Sequence, residues 1–468
     1  MPDLWRMHCA LSARRVALRA HGPVCGGGQM TRHLILGMGV AGIAAAESIR
    51  ATESGAEIVL VGDDPFGYYS RPGLAYYLTG EMVEKQLFPF TTADFQRLNV
   101  RYVKGRTTKI FREEHQIEVD GKNRVSYDRL LIAVGAQAVR LTIPGTDLEG
   151  VVKLDHMADA RHIQQLARRT RRAVVVGGGI TALELVEGLV AQRVKVTYLL
   201  RGDRYWNNVL DEHESRIVEK RLEEEGVELI HHAELTEVLG KRGRVDSIRL
   251  LDGRTIKCNL LAYAIGIQPR VELAKDAGLA VDKGILVDEH LQTNDPDVFA
   301  AGDVAQAYDP LTGRSIIDSL WGPAREQGRV AGLNMAGRKT AYLKSPPFNV
   351  TRLAGLTTTI IGAVGRGGRD DDLVGIARGD SETFRSLPDA ISAQSGFDVN
   401  HLRLLVGEKT LLGALVMGDQ TLSIPLQKMI AGKADISPIR EKLMAHDVKI
   451  ADVVVEFWKE WSRNFVVT

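Results

Sequence analysis

Cysteine is scarce in this chain, and its few cysteines lie far apart. Cys9, Cys25 and Cys258 are the only three among 468 residues. This spacing excludes a disulfide framework, a CxxC redox pair and a cysteine-rich zinc site. So few thiols are typical of a reducing compartment, and we expect a cytoplasmic location. Cys258 lies in a strand-like segment and is expected to be a packing residue.

The chain also lacks an excess of charge of either sign and lacks long apolar runs. Lys and Arg number 60 against 59 Asp and Glu, so the formal net charge is +1. This balance gives no general attraction to nucleic acid or acidic membranes. Runs such as 402–405 and 411–417 are shorter than the roughly 18 residues that span a bilayer. We expect a soluble protein with no nucleic-acid or membrane partner and, because one core rarely exceeds about 250 residues, more than one domain.

Residues 1–29 differ from the rest of the sequence. Four arginines stand against the single acid Asp3, and a Gly-Gly-Gly run follows at 26–28. This composition predicts a disordered extension or a stretch read from an upstream start codon, and Met30 suits a second start. A transit peptide is the alternative, although the Ser-rich character of such peptides is missing.

A strand, a glycine-rich turn and a helix occur twice in the same order. The first copy has an apolar strand at 33–36, the turn Gly-Met-Gly-Val-Ala-Gly at 37–42 and a helical pattern from 43. The second copy has a strand at 173–176, the turn Gly-Gly-Gly-Ile-Thr-Ala and a helix at 183–190. A GxGxxG turn between a strand and a helix is the fingerprint of a dinucleotide site. The sequence therefore predicts two nucleotide sites.

The residues of each fingerprint have distinct physical tasks. The first glycine permits a tight turn, the second leaves room for the pyrophosphate, and the third small residue lets helix and strand approach closely. The phosphates then bind the N–H groups at the helix N-terminus. The predicted nucleotide-binding residues are Gly37, Gly39, Val40, Ala41 and Gly42 in the first copy and Gly177, Gly179, Ile180, Thr181 and Ala182 in the second.

The two copies differ at the end of the strand that follows the helix. In the first copy Asp63, with Asp64 as the weaker candidate, is placed to accept a hydrogen bond from a ribose hydroxyl. In the second copy Arg201 stands there, and a guanidinium suits the 2′-phosphate of NADPH. We therefore favour NADPH. The alternative is that Arg201 and Arg204 are solvated loop charges, with Asp203 pairing one of them and NADH as the donor.

The order of these motifs resembles the pyridine nucleotide-disulfide oxidoreductase superfamily, in which the first site holds FAD and the second holds NAD(P)H. Four further stretches, 127–136, 263–269, 293–303 and 321–328, resemble segments of that superfamily in the same order. The resemblance implies an α/β fold with two Rossmann-like dinucleotide-binding domains and a small α/β C-terminal domain. It also implies further cofactor-binding residues: Ala133, Gly135, Gly266, Gly302 and Asp303.

The same resemblance implies the domain limits. We expect a discontinuous FAD-binding domain at 30–150 and 268–345, an NAD(P)-binding domain at 151–267, and a dimerisation or interface domain at 346–468. A homodimer is expected. The stretch 365–395 is long and polar, and it is either a partner-docking loop or a variable surface insertion.

The absence of a cysteine after Asp63 selects a branch of the superfamily. Disulfide reductases carry a CxxxxC pair in this stretch and related oxidases a single cysteine, whereas residues 63–74 contain none. Without a thiol there, thiolate chemistry is excluded. Tyr69-Ser70-Arg71-Pro72 resembles a segment of ferredoxin, rubredoxin and nitrite reductase flavoproteins, which implies that Arg71 and Pro72 contact FAD. Some of these reductases place a lysine near the flavin where this chain has Tyr76, so Arg71 is the expected substitute.

Two more residues are expected near the reacting rings. Glu184 matches a family glutamate near the nicotinamide and flavin, where a carboxylate can orient the carboxamide; the alternative is a helix acid paired with a base. Trp321 resembles a family tryptophan on the acceptor side; the alternative is a core aromatic. Together with Arg71 they are the predicted catalytic residues.

We predict no metal site. The clusters at 211–214, 231–232 and 370–372 are each local in sequence, and we expect solvated charge there because metal ligands must converge in space.

The resemblance implies an FAD-dependent NAD(P)H oxidoreductase whose partner is an electron-acceptor protein. Electrons would pass from NAD(P)H through FAD to a ferredoxin-like or rubredoxin-like carrier, or to a nitrite-reductase-like partner. A nicotinamide gives up two electrons together, whereas a flavin can release them singly. The alternatives are an NAD(P)H oxidase that uses oxygen or a quinone-like acceptor, and a flavin subunit of a larger iron–sulfur complex.

Overall fold

The structure, a computed structural model, describes residues 30–309, 313–364, 391–396, 400–445 and 448–465. The predicted extension at 1–29 and the acidic cluster at 370–372 lie outside these residues. So does most of the 365–395 stretch, of which only residues 391–395 are described.

The described strands and helices account for nearly all of the predicted ones. The strands are β1 (Arg32–Leu36), β2 (Glu57–Gly62), β3 (Val100–Lys104), β4 (Thr107–Phe111), β5 (Gln116–Val119), β6 (Asn123–Ser126), β7 (Arg129–Ile132), β8 (Ala136–Ala138), β9 (Val151–Lys153), β10 (Arg172–Val176), β11 (Lys195–Leu199), β12 (Glu228–Ile230), β13 (Leu235–Lys241), β14 (Arg244–Leu250), β15 (Thr255–Lys257), β16 (Leu260–Tyr263), β17 (Ile267–Pro269), β18 (Ile285–Val287), β19 (Val298–Ala300), β20 (Ala305–Asp309), β21 (Arg314–Ile316), β22 (Phe348–Leu353), β23 (Leu356–Gly362), β24 (Ile391–Gly396), β25 (His401–Val406) and β26 (Leu411–Met417). The α-helices are α1 (Val40–Thr52), α2 (Gly73–Thr79), α3 (Thr92–Leu98), α4 (Met157–Ala167), α5 (Ile180–Ala191), α6 (Glu212–Glu224), α7 (Glu272–Asp276), α8 (Trp321–Met335), α9 (Ser423–Ala431), α10 (Arg440–Met444) and α11 (Ile450–Phe465), with a 3₁₀ turn at Glu84–Leu87.

The first glycine turn follows the central strand of a parallel sheet. The strand order is β19-β7-β1-β2-β3, and all four pairings are parallel. Strands β1, β2 and β7 are apolar and almost wholly buried, as expected for strands covered on both faces. From β1 the chain continues to β2 on one side and later to β7 on the other. This change of direction opens a crevice at the end of β1, where α1 begins.

Helix α1 is held against α8 by small residues. Gly328 and Gly332 of α8 face Ala41 and Ala45 of α1, and an added Cβ at either glycine would collide with the α1 backbone. Helix α8 is thereby fixed beside the first glycine turn.

The second glycine turn lies in a second sheet of the same type. Its strand order is β12-β11-β10-β16-β9, again all parallel, and its turn follows the central strand β10. An antiparallel sheet of β13, β14 and β15 adjoins it. Cys258, which follows β15, is buried, and burial raises the pKa of its thiol to about 12. This confirms the predicted packing role.

A short antiparallel pair links the two nucleotide-binding regions. Strand β8 pairs with β17, whereas the intervening β9 and β16 belong to the second sheet. The chain therefore leaves the first region after β8 and returns at β17. This path supports our proposal of an inserted domain at 151–267 within 30–150 and 268–345.

The C-terminal region is an antiparallel sheet with helices on one face. Its strand order is β22-β23-β26-β25-β24. Helices α9 and α11 cover one face, and the core there includes Leu404, Leu426 and Val454. The other face packs on the second nucleotide-binding region, with Leu353 and Leu415 sharing its core. No helix in the described part of the chain has the length and apolar character to cross a membrane.

A buried ion network joins α6 to β25. Arg403 donates through Nε and Nη2 to the two Glu214 oxygens at 2.7 and 3.0 Å, and His401 Nε2 lies 2.9 Å from Glu214 Oε1. Arg403 also donates to the carbonyl oxygens of Val364 and Val209. Burial by itself raises the pKa of Glu214, but the His401 hydrogen bond and the Arg403 charge outweigh it and hold this pKa below its usual value.

The expectation of solvated charge at 211–214 is wrong for two of its residues. Asp211 and Glu214 are buried because Asp211 caps α6, accepting from the Glu214 N–H at 2.8 Å, while Glu214 faces β25. Asp211, Glu214 and His401 lie close enough together to resemble a set of metal ligands. The positive charge beside these carboxylates is the Arg403 guanidinium, so we retain the interpretation without a metal. His231 likewise pairs with a carboxylate, lying 3.1 Å from Glu219 Oε1.

Replacing Arg403 tests the network. We expect Arg403→Met to lower the free energy of unfolding by about 3–5 kcal/mol, because the buried Glu214 carboxylate loses its partner. Urea unfolding followed by fluorescence measures this loss. The control is Arg216→Met on the exposed side of α6, where the salt bridge to Glu212 is solvated and contributes little to stability. Equal losses in the two variants would contradict the assigned role.

Candidate functional site

Both glycine turns open into one cavity of about 1450 Å³. A single small-molecule pocket usually has roughly 300–1,000 Å³, so this cavity has room for more than one ligand. The predicted site residues that line it are Gly37, Gly39, Val40, Ala41, Asp63, Asp64, Arg71, Pro72, Ala133, Gly135, Gly177, Gly179, Ile180, Thr181, Glu184, Arg201, Gly266, Gly302, Asp303 and Trp321.

The first turn leaves space where a dinucleotide phosphate would bind. Gly37 has φ +104°, and an added Cβ would collide with the Ala133 carbonyl oxygen. An added Cβ at Gly39, by contrast, would meet no protein atom. No side chain caps the N-terminus of α1, which begins directly after Gly39. The backbone N–H groups of this helix end therefore suit a phosphate, and the residues fit the pyrophosphate of FAD.

The second turn repeats this arrangement. Gly177 has φ +142°, and its Cβ would collide with the Ala264 carbonyl oxygen. Helix α5 begins after Gly179, again without a side-chain cap. The third small residue of each fingerprint, Gly42 or Ala182, is buried behind its turn and does not line the cavity. These two were predicted to bind the cofactor, but the structure places them where helix and strand approach.

The two acids after β2 have different surroundings. Asp64 Oδ1 accepts from the Phe66 N–H at 2.9 Å, so this carboxylate holds the turn. Asp63 is exposed and lines the cavity. This arrangement favours Asp63 over Asp64 as the ribose-binding acid.

The arginines after β11 also differ. Arg204 donates to Asp203 at 2.8 Å and to the Asn207 carbonyl oxygen at 3.2 Å, which is the pairing foreseen in the NADH alternative. Arg201 lines the cavity. The buried Trp206, with φ +49°, is a further lining residue that sequence reasoning missed. The feature of the sequence that could have identified Trp206 as a lining residue is its position in the loop after Arg201.

Arg71 lies next to a carboxylate. Its Nη1 is 3.4 Å from the carbonyl oxygen of Asp155 and 3.7 Å from its Oδ1. Asp155 Oδ2 also lies 3.6 Å from Lys153 Nζ and 3.9 Å from Arg270 Nη2. Sequence reasoning identified neither Asp155 nor Arg270, although Arg270 directly follows the predicted return segment at 263–269. The positive charge of Arg71 is therefore partly balanced within the protein.

Tyr69 fixes the segment that carries Arg71 and Pro72. Its hydroxyl oxygen accepts from the Met157 N–H at 3.0 Å, at the start of α4. Burial raises the pKa of Tyr69 to about 12, so the hydroxyl stays protonated at neutral pH.

The remaining predicted residues lie on two helices that border the cavity. Glu184 is in the first turns of α5, and Trp321 begins α8 with the Arg325 guanidinium 6.0 Å from its ring. The cavity wall also includes Glu187 and Arg352, which were not predicted. Arg352 lies on β22 in the C-terminal sheet, and no motif in the sequence links that strand to the nucleotide sites.

Two Rossmann-like sites that open into one cavity define a dinucleotide-dependent oxidoreductase with two nucleotide ligands. Residues 31–328 match the family model described as pyridine nucleotide-disulphide oxidoreductase. The chain belongs to this family. The predicted family, fold class and enzyme class, an FAD-dependent NAD(P)H oxidoreductase, are thereby confirmed.

Curated relatives and a solved structure agree with this assignment. The chain is 30% identical over 334 residues to the rubredoxin-NAD(+) reductase of Pseudomonas putida, covering 71% of this chain and 86% of the relative. It is 27% identical over 336 residues to the assimilatory nitrate reductase electron transfer subunit of Bacillus subtilis, covering 71% of this chain but only 43% of that longer protein. The fold is similar to a ferredoxin reductase from Rhodopseudomonas palustris, with a TM-score of 0.80 and 22% identity over 91% of this chain and 100% of that one.

The two glycines of the first turn give opposite predictions. We expect Gly39→Ala to keep the stability of the flavin-free protein but to lower FAD retention, because the new Cβ enters the phosphate space. Gly37→Ala should destabilise the fold by about 1–3 kcal/mol, because it combines positive φ with a backbone collision. The flavin-to-protein absorbance ratio and thermal unfolding of the flavin-free protein measure the two effects.

The control for both variants is Gly55→Ala, because Gly55 lies outside the cavity and its Cβ would meet no atom. Full FAD retention by Gly39→Ala would argue against this turn as the phosphate site.

Proposed function

We propose that this chain transfers electrons from NADPH through FAD to an iron–sulfur or rubredoxin-like carrier protein. The observation that carries the proposal is one cavity lined by both nucleotide fingerprints, in a chain with no cysteine at 63–74. Such a cavity brings two cofactors together, and none of the described residues that line it is a cysteine that could receive the electrons. The relatives named for rubredoxin and nitrate reduction support a protein acceptor.

The chain's own residues bind and orient the cofactors. The N-termini of α1 and α5 hold the pyrophosphates, and Asp63 accepts a hydrogen bond from the FAD ribose. Gly302 is kept in place by its N–H, which donates to Gln327 Oε1 at 2.8 Å, so that the adjacent Asp303 faces the cavity. FAD, when bound, accepts two electrons from the nicotinamide and passes them on singly.

Two side chains act at the meeting point of the cofactors. Glu184 orients the nicotinamide carboxamide and balances the positive charge that the nicotinamide acquires. Trp321 forms the wall on the acceptor side and limits access of water. Arg71 and Pro72 also line the cavity.

We further propose NADPH as the preferred donor. Arg201 and Arg204 both line the cavity; Arg204 donates to Asp203, and Arg201, the first of the two after β11, carries a planar guanidinium suited to a 2′-phosphate. A homodimer formed through the C-terminal region and a cytoplasmic location stay predictions that rest on the family resemblance and on the scarcity of cysteine.

Anaerobic mixing with NADPH and NADH tests the donor. We expect NADPH to bleach the oxidised flavin faster. We expect Arg201→Gln to weaken NADPH binding roughly 10- to 100-fold, the loss of one charge-assisted hydrogen bond, with little effect on NADH. Arg204→Gln is the matched comparison and should affect both donors alike. Faster bleaching by NADH, with Arg201→Gln neutral, would overturn the donor assignment, and no bleaching by either would point to a subunit that needs its complex.

Steady-state turnover tests the acceptor. With NADPH we expect a [2Fe–2S] ferredoxin or a rubredoxin to be reduced much faster than oxygen is consumed in their absence. Oxygen consumption that accounts for all NADPH oxidation, unchanged by either carrier, would instead indicate an oxidase.

A further inference from the structure

Three separate parts of the chain meet on one side of the cavity wall. Tyr76 comes from α2, Glu187 from α5 and Arg352 from β22 of the C-terminal sheet, and all three line the cavity. Glu184, the residue assigned to the nicotinamide, lies one helical turn before Glu187. The proposed function gives Glu187 and Arg352 no task.

Arg352 is shared between acids. Its Nη1 donates to Glu81 Oε2 at 2.6 Å, and its Nε lies 3.8 Å from Glu187 Oε1. Its guanidinium also lies 5.4 Å from the centre of the Tyr76 ring. Arg352 is therefore held mainly by Glu81, and its interaction with the Glu187 carboxylate is the longer and weaker of the two.

Glu187 is the least solvated of these acids. Its side chain is 10% exposed, and Oε1 accepts from the Gly355 N–H at 3.0 Å, in the turn between β22 and β23. Two carboxylates, Glu81 and Glu187, therefore lie beside one guanidinium, and the Glu184 carboxylate acts on Glu187 from the same helix. The cluster is less stable when every carboxylate is ionised, because the negative charges repel one another at low dielectric.

The charged and titratable groups around Glu187 come from each element packed against it. They are Arg352 of β22, Glu184 of its own helix, Glu225 after α6, Tyr205, Tyr76, Glu81 and Arg221, whose Nε donates to the Ala354 carbonyl oxygen at 2.6 Å. Burial raises the pKa of Glu187 to about 7, and the Arg352 charge and the Gly355 hydrogen bond oppose that rise. Glu187 therefore binds a proton more readily than an exposed glutamate does.

Resting on the function proposed above, we propose that Glu187 takes up a proton from solvent when the cavity gains negative charge on reduction, and that Arg352 sets the pH at which it does so. The electrons come from NAD(P)H, and the oxidised nicotinamide departs with its positive charge. One O–H bond forms at the Glu187 carboxylate, and the bond that breaks is in a hydronium ion or a buffer acid of the solvent, which releases the proton. No other bond changes at this residue.

The position of Arg352 also bears on Tyr76. Some carrier reductases resembling this chain place a cation where Tyr76 stands, and Arg71 was the expected substitute. In the structure Arg71 lies beside Asp155, whereas Arg352 lies over the Tyr76 ring. The C-terminal sheet thus supplies a cation to this part of the wall.

The experiment measures the flavin midpoint potential against pH, with dithionite and redox dyes as the source of electrons. Each additional proton taken up with two electrons adds about 30 mV per pH unit to the slope. For the unaltered protein we expect this additional slope to begin near pH 7, because below that pH Glu187 is protonated in both redox states. Glu187→Gln should lack it. Glu441→Gln, on the exposed side of α10 and outside the cavity, is the matched control and should keep it.

Arg352 variants give an independent test. Arg352→Gln removes the positive charge that opposes protonation of Glu187, so the onset of the additional slope should move to higher pH. Arg352→Lys keeps the charge and should keep the onset near pH 7. A purely structural role for Arg352 would lower stability without moving the onset.

The outcomes separate the two proposals. Identical pH slopes in Glu187→Gln and the unaltered protein, or an onset unmoved in Arg352→Gln, would overturn the assignment of Glu187 while leaving the reductase function intact. Failure of the unaltered protein to be bleached by either donor, with a normal potential titration, would contradict the reductase function alone.

Discussion

The close approach of two glycines to the neighbouring strand sets the geometry on which both nucleotide sites depend. At Gly37 and Gly177 any side chain would collide with a carbonyl oxygen, of Ala133 and Ala264 respectively. Because the turns are this tight, α1 and α5 begin at the ends of their central strands, and their uncapped N-termini open into the cavity. The same constraint repeated in two sheets places two phosphate sites in one cavity, which is the structural basis of a dinucleotide-dependent oxidoreductase.

The C-terminal sheet completes this cavity. One of its faces packs on the core of the second nucleotide-binding region, and Arg403 inserts a buried guanidinium beside Glu214 at the start of α6. Strand β22 then places Arg352 in the cavity wall. The sheet therefore contributes directly to the electrostatics of the site.

Charge in the cavity wall is arranged in opposing groups. Asp155 lies among Arg71, Lys153 and Arg270, and Arg352 lies between Glu81 and Glu187. In a partly desolvated cavity such groups interact more strongly than in water. The group around Asp155 has excess positive charge, and the group around Arg352 has excess negative charge. Protonation of the Glu187 carboxyl therefore changes the net charge of the second group. Electron transfer changes the charge of the cavity, and these groups are placed to respond to it.

The sequence by itself determined the two nucleotide sites and the family. Glycines at fixed spacing between an apolar strand and a helix predict the turn and the helix that follows it, because both depend on local backbone geometry. Asp63 and Arg201 were predicted in the same way, since each lies at a fixed distance from its fingerprint, whereas Glu184 was predicted from the family resemblance. Only the tertiary structure decided which charges meet. Glu214 with His401 and Arg403, Arg71 with Asp155, and Glu187 with Arg352 are pairs separated by tens to hundreds of residues, and their contacts arise from the packing of separate sheets, which leaves no periodic or local signal in the sequence.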